Sequence, residues 1–135
     1  RVVAAGGCFD LLHAGHVSLL RRARTLGDCL VACVNTDAAV RAAKGPRRPV
    51  TPLEDRVRVL SALDCVDAVA VFAEPTPERL LRGLRADVWV KGADRDPGEL
   101  PEAAVVEAYG GEVAVLPLLP GRSTTRLVAG SREGP

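Results

Sequence analysis

A doubly wound α/β fold, built on a five-stranded parallel sheet with helices on both faces, is the architecture this sequence predicts. Three observations predict it. Short apolar runs of strand length alternate with helical patterns along the chain. Those runs are continuous, as strands buried on both faces require. The 135 residues are enough for one domain, which at this size buries roughly two-thirds of the unfolded surface without a metal or disulfide staple. Strict alternation of strand and helix calls for right-handed crossovers, and hence a Rossmann-like sheet. The domain is expected over residues 1–130, with 131–135 as a frayed tail.

The elements follow in order. Val2–Ala5 reads as the first strand. Val17, Leu19, Leu20, Ala23 and Leu26 recur at helical spacing, and Gly27 is the expected stop. Leu30–Val34 is a second buried strand, and residues 35–52, which hold KGPRRP, read as loop. Thr51-Pro52-Leu53-Glu54 predicts a helix start, with Thr51 as N-cap, Pro52 first and Glu54 closing a capping box. Leu53, Val57 and Leu60 then form one stripe. Ala68–Phe72 is a third strand, and Thr76-Pro77-Glu78 opens a helix with Leu80, Leu81 and Leu84 inward. Val88–Val90 is a fourth strand, ending at Lys91-Gly92. A helix over Pro101–Tyr109 stops at Gly110-Gly111, Val113–Leu116 is the fifth strand, and residues 123–128 open a last helix.

Composition excludes several classes. The chain is 47% hydrophobic and 26% charged, which fits a folded domain rather than a disordered one. A net charge of +1 gives no field that steers it to nucleic acid or to an anionic membrane. Aromatics at 3% leave no base-stacking platform. No apolar run approaches the ~18 residues of a membrane span, and the opening residues read as a strand rather than a secretory leader. Cys8, Cys29, Cys33 and Cys65 form no Cys-x-x-Cys pair. Cys29 and Cys33 on one strand face would stand about 13 Å apart, beyond disulfide reach. Four reduced, mostly buried thiols in a cytoplasmic protein are expected. Against sixteen arginines, the two lysines, Lys44 and Lys91, stand out; a lysine is a compact point charge that arginine does not replace at every phosphate site.

In such a sheet the ligand sits beyond the carboxyl ends of the strands. There the first strand delivers GGCFDLLHAGH, the second Asn35-Thr36-Asp37 and the loop with Lys44, the fourth Lys91-Gly92-Ala93-Asp94, and the fifth GRSTT. Both histidines, His13 and His16, fall at a helix start, where free N–H groups and partial positive charge suit phosphate. Gly15 between them would admit a phosphate close to the backbone. Arg122, Ser123, Thr124 and Thr125 form a second anion nest or an ordinary helix cap. Lys44 is either a phosphate ligand or a solvated lysine. Asp10 and Asp94 are ligands for a sugar hydroxyl or a metal-bound water, or turn residues. Arg56 is expected to pair with a carboxylate. Neither a G-x-G-x-x-G fingerprint nor a Walker loop is present, which disfavours a dehydrogenase or a P-loop kinase.

GGCFDLLHAGH followed by GRSTT resembles the nucleotidyltransferase superfamily with H-x-G-H and S-T-T motifs, over nearly the whole chain. Within it, FDLLHAGHVSLL, the stretch from VNTDAAVRAAKGPRRPV to CVDAV, VKGAD and GGEVAVLPLLPGRSTT are most similar to heptose 1-phosphate adenylyltransferases, the transferase part of ADP-heptose synthases. The sequence departs from that family at Ala93 and Arg95, where a glycine and an aromatic are expected. The resemblance implies transfer of AMP from ATP to a sugar 1-phosphate, with Mg²⁺ bridging phosphates and no protein metal ligands. It implies catalytic roles for His13, His16 and Lys44, the imidazoles on the triphosphate and Lys44 between the α-phosphate and the acceptor. Gly7, Cys8, Phe9, Gly15, Lys91, Gly92, Asp94, Arg122, Ser123 and Thr124 would bind the nucleotide, and Asp10 with Lys44 the acceptor. Relatives of this kind are commonly dimers or higher, so a homodimer is expected. A CTP-dependent glycerol-3-phosphate cytidylyltransferase and a nucleotide-binding sensor without turnover remain the alternatives.

Overall fold

The computed structural model describes residues 1–92 and 100–117. The elements run β1 (Val2–Gly7), α1 (Ala14–Arg24), β2 (Cys29–Asn35), α2 (Asp37–Lys44), α3 (Leu53–Ser61), β3 (Ala68–Phe72), α4 (Glu78–Leu84), β4 (Val88–Gly92), α5 (Glu102–Ala108) and β5 (Glu112–Leu116). The five strands form one sheet in the order β3-β2-β1-β4-β5, and every pairing is parallel. The predicted doubly wound sheet is therefore present. Strand order reverses between β1 and β4, which places the ligand crevice at their carboxyl ends. The expected helix over residues 123–128 and the tail over 131–135 lie outside the described residues.

Alternation of side chains along each strand splits the core in two. Val3, Ala5, Leu30, Ala32, Val34, Val88 and Val90 pack with Leu19, Leu20 and Ala23 of α1 and Leu60 of α3. On the opposite face Ala4, Cys33 and Trp89 pack with Leu81 of α4 and Val106 of α5. Gly6 is glycine because the Trp89 ring lies over it: a Cβ there would stand 2.2 Å from Trp89 Cη2. Trp89 is fixed in turn by its indole N–H, which donates to the buried Glu102 carboxylate at 3.2 Å. Gly6→Ala is expected to cost about 1–3 kcal/mol by overpacking. A urea midpoint equal to that of the parent would show that the ring can move aside.

Four local expectations are corrected. Residues 37–44, read as loop, form α2. Its alanines favour helix, but only Val40 is buried, so no apolar stripe marked it. Helix α3 begins at Leu53 with Pro52 as N-cap and no side-chain cap of its own; the Leu53 N–H donates instead to Asp37, at 2.9 Å. Helix α1 ends at Arg24 with Thr25 as C-cap, two residues before Gly27. Gly27 serves a close approach instead, since a Cβ there would meet the Arg1 carbonyl oxygen at 2.6 Å. Of the four free thiols only Cys33 is buried, and burial pushes it up to about 12; the others are half-buried.

Candidate active site at the head of helix α1

The chain leaves β1 at Gly7 and turns sharply before α1. Phe9 (φ 50°) and Leu11 (φ 49°) both adopt the left-handed backbone region, which costs a non-glycine residue of order 1–3 kcal/mol. The distortion turns Phe9 into the core, 3% exposed, and its ring meets that of His16 edge-on, with centroids 5.6 Å apart. The Phe9 side chain is therefore a packing element, and only its backbone lines the site.

The two histidines form a reciprocal cap. His13 is the N-cap of α1, and its Nδ1 accepts from the Gly15 N–H at 3.0 Å. His16 Nδ1 accepts from the His13 N–H at 3.1 Å. This is a capping box made of imidazoles, with the ring centroids 3.9 Å apart. Because each Nδ1 accepts, each ring proton belongs on Nε2, and both Nε2–H groups are donors. His13 Nε2 is buried with no partner among the described residues. The Gly15 N–H, expected to face phosphate, is taken by His13.

Burial drives the His16 imidazole down to about 4; neighbouring His13 and Lys44 push the same way, and Asp10 opposes them. Burial also lowers His13. The pair is thus neutral at pH 7 and supplies hydrogen bonds, not charge. The His16 ring signal in a proton NMR titration is expected to move near pH 4. The unfolded ring titrates near 6.5, so between these values the unfolded chain binds more protons. The His16 contribution, up to about 3 kcal/mol, is complete above pH 6.5 and is lost as pH falls toward 4. An inflection near 6.5 in the folded protein would contradict the neutral pair.

Lys44, the last residue of α2, is exposed and lies within electrostatic range of His16. Asp10, expected to bind the acceptor, is engaged within the protein. It is fully buried, and its oxygens accept from the N–H groups of Val50 (2.9 Å) and Thr51 (2.8 Å) and from Arg48 Nε (3.1 Å). Burial alone would raise the Asp10 carboxyl, but these bonds hold it below the usual range. Asp10 fastens the 48–51 segment beside the site and presents no exposed carboxylate to an acceptor. Arg56, 1% exposed, is the hub of the strand ends: Nη1 donates to the carbonyls of Cys8 and Asn35, Nε to that of Thr51 and Nη2 to Asp37 at 2.6 Å.

Lys91 and Gly92 end β4 next to β1. Lys91 shares the face of Trp89 and acts on Cys33, so its side chain starts on the side of the sheet opposite α1. Asp94, Arg122, Ser123 and Thr124 lie outside the described residues. Sequence reasoning missed Arg48, whose link to Asp10 spans 38 positions and leaves no local signal.

A parallel sheet whose central strand opens onto a helix head carrying two neutral imidazole donors, with a lysine in electrostatic range, is a setting that suits a phosphate group. The chain belongs to the cytidylyltransferase-like family, whose model matches residues 4–113. It is 67% identical over 98% of its length to the bifunctional protein HldE of Streptomyces coelicolor, of which it covers 29%. It is 54% identical over 98% of its length to the bifunctional protein HldE of Halorhodospira halophila, covering 28%. The chain therefore spans less than a third of the length of these curated relatives. The lipopolysaccharide core biosynthesis protein of Thermoplasma volcanium superposes with a TM-score of 0.73 at 27% identity, over 87% of this chain and 95% of that one. The pantothenate synthetase of Thermus thermophilus shares the fold alone, with a TM-score of 0.60 at 19% identity, over 95% of this chain and 64% of that one.

Proposed function

We propose that this domain transfers the adenylyl group of ATP to heptose 1-phosphate, giving an ADP-sugar and pyrophosphate. The observation that carries the reading is the imidazole pair at the head of α1, whose Nδ1 atoms are taken by the backbone and whose buried His13 Nε2 has no partner among the described residues. The family and the resemblance to heptose 1-phosphate adenylyltransferases supply the substrate class.

An oxygen of the acceptor phosphate attacks the α-phosphorus of ATP, the α–β bridging P–O bond breaks, and pyrophosphate leaves with that electron pair. The attacking oxygen is already anionic at neutral pH, so no base is needed. The site has to hold anions together in line, and positioned donors do this. His13 and His16 donate Nε2–H to oxygens around the α-phosphate, and Lys44 offsets charge between that phosphate and the acceptor. Arg122, Ser123 and Thr124 hold the departing phosphates, while the backbone at Gly7–Phe9 and the 91–94 segment bound the nucleoside. Mg²⁺ would supply charge neutralisation on the phosphates. The cradle offers it imidazole, lysine and arginine groups, which suit phosphate oxygens, so the ion would be held by phosphate and water.

We place the domain in the cytoplasm as a homodimer. Among the described residues no helix is long and apolar enough to cross a membrane. The test is a matrix of four nucleoside triphosphates against sugar and polyol phosphates, read by pyrophosphate release. ATP with heptose 1-phosphate is expected to give the highest kcat/KM. Preference for CTP with glycerol 3-phosphate, or nucleotide binding without release, would overturn the proposal.

A further inference from the structure

Among the described residues, three buried side-chain atoms have no hydrogen-bond partner: His13 Nε2, Asn35 Oδ1 and Arg48 Nη2. Leaving a buried polar group unsatisfied costs about 1–3 kcal/mol, so each such atom points to something that completes it. His13 belongs to the imidazole pair. Asn35 shares the strand face of Val31 and Cys33, away from α1. Arg48 remains.

The Arg48 side chain is only 11% exposed and is held by a single bond, from Nε to the fully buried Asp10. Nη2 carries two N–H donors and engages nothing among the described residues. Asp10 is locked by Val50 and Thr51, and Thr51 by Arg56, so the guanidinium has little freedom to find another partner. Its place in the fold says what it meets. Asp10 lies three residues before the His13 cap, and Lys44 four residues before Arg48. Through Asp10 and Arg56 the 48–51 segment is tied to the carboxyl ends of β1 and β2, whereas the strand order reverses between β1 and β4, where a sheet of this kind takes its nucleotide. A pre-oriented cationic donor at the β1–β2 end of the sheet, away from that reversal, suits the second anion of the reaction rather than the nucleotide.

Resting on the sugar-phosphate reading above, we propose that Arg48 recognises the acceptor's phosphate, with Nη2 donating to one of its non-bridging oxygens, and so determines specificity for a phosphate monoester. Arginine suits the task because its rigid fork can hold Asp10 and a phosphate in a fixed relative geometry, whereas a lysine offers a flexible point charge.

The experiment is calorimetry on the wild-type chain and on Arg48→Lys and Arg48→Gln. It measures Kd for α,β-methylene-ATP, and then Kd for heptose 1-phosphate on the nucleotide-loaded protein. Both variants are expected to bind the acceptor at least tenfold more weakly and the nucleotide within about twofold of wild type. Thermal melts accompany them, and Asp10→Asn serves as a control for loosening of the loop. Equal losses for both ligands, or an unchanged acceptor Kd in a folded variant, would overturn the assignment. If the wild type prefers another phosphate in the matrix above, the heptose reading fails while Arg48 is judged on that preferred phosphate.

Discussion

His16→Gln is expected to lower kcat about 100-fold or more while leaving the melting temperature within a few degrees of the parent. The size follows from what the ring donates. A pre-oriented donor at developing phosphate charge is worth a factor of roughly 10²–10³. The choice of glutamine follows from the cap. His16 Nδ1 accepts from the His13 N–H, and a glutamine three residues into a helix makes the same bond in an ordinary capping box. Alanine would remove both functions together and add a cap loss of about 1 kcal/mol. His13→Asn is the matching change at the N-cap, where asparagine accepts from Gly15 in place of the ring. Steady-state kinetics with a thermal melt separate the roles. Near-parental turnover in His16→Gln would reduce the imidazoles to helix caps.

Arg56→Met is expected to destabilise the domain by about 3–5 kcal/mol, because several acceptors lose their donor at once and each left buried and unpaired costs about 1–3 kcal/mol. It strands three carbonyl oxygens, of Cys8, Asn35 and Thr51, together with Asp37. Against a typical total of about 5–15 kcal/mol this is a large share, equivalent to roughly 10–20 °C in melting temperature. Arg56→Lys keeps the charge but lacks the fork that reaches four acceptors, so it recovers only part of the loss. Urea denaturation measures both. A methionine variant as stable as the parent would mean the strand ends hold their positions without the guanidinium.

The strands were legible because a sheet covered on both faces leaves uninterrupted apolar runs such as Leu30–Val34. The H-x-G-H spacing was legible because three residues bring two side chains back to one helix turn. What stayed hidden depends on contacts between distant positions. Helix α2 turns mostly alanines outward, although Thr36 ahead of Asp37 is a readable N-cap, its hydroxyl accepting from the Ala39 N–H. The cap of α3 comes from Asp37, sixteen positions upstream. The carboxylate of Asp10, expected beside the acceptor, is taken by backbone forty residues away. Nor does spacing reveal that the imidazoles are uncharged, since burial and the direction of their Nδ1 bonds decide it.

Placing β1 in the middle of the sheet has a consequence for synthesis on the ribosome. The first strand to emerge finds β2 as a neighbour within thirty residues, but its other edge waits for β4, more than eighty residues later. Until then this part of the chain carries an open central edge, the kind that invites pairing with other chains. Fragments ending before Val88 should therefore aggregate rather than fold, and the turn that follows β1 gains its full support only once β4 is in place.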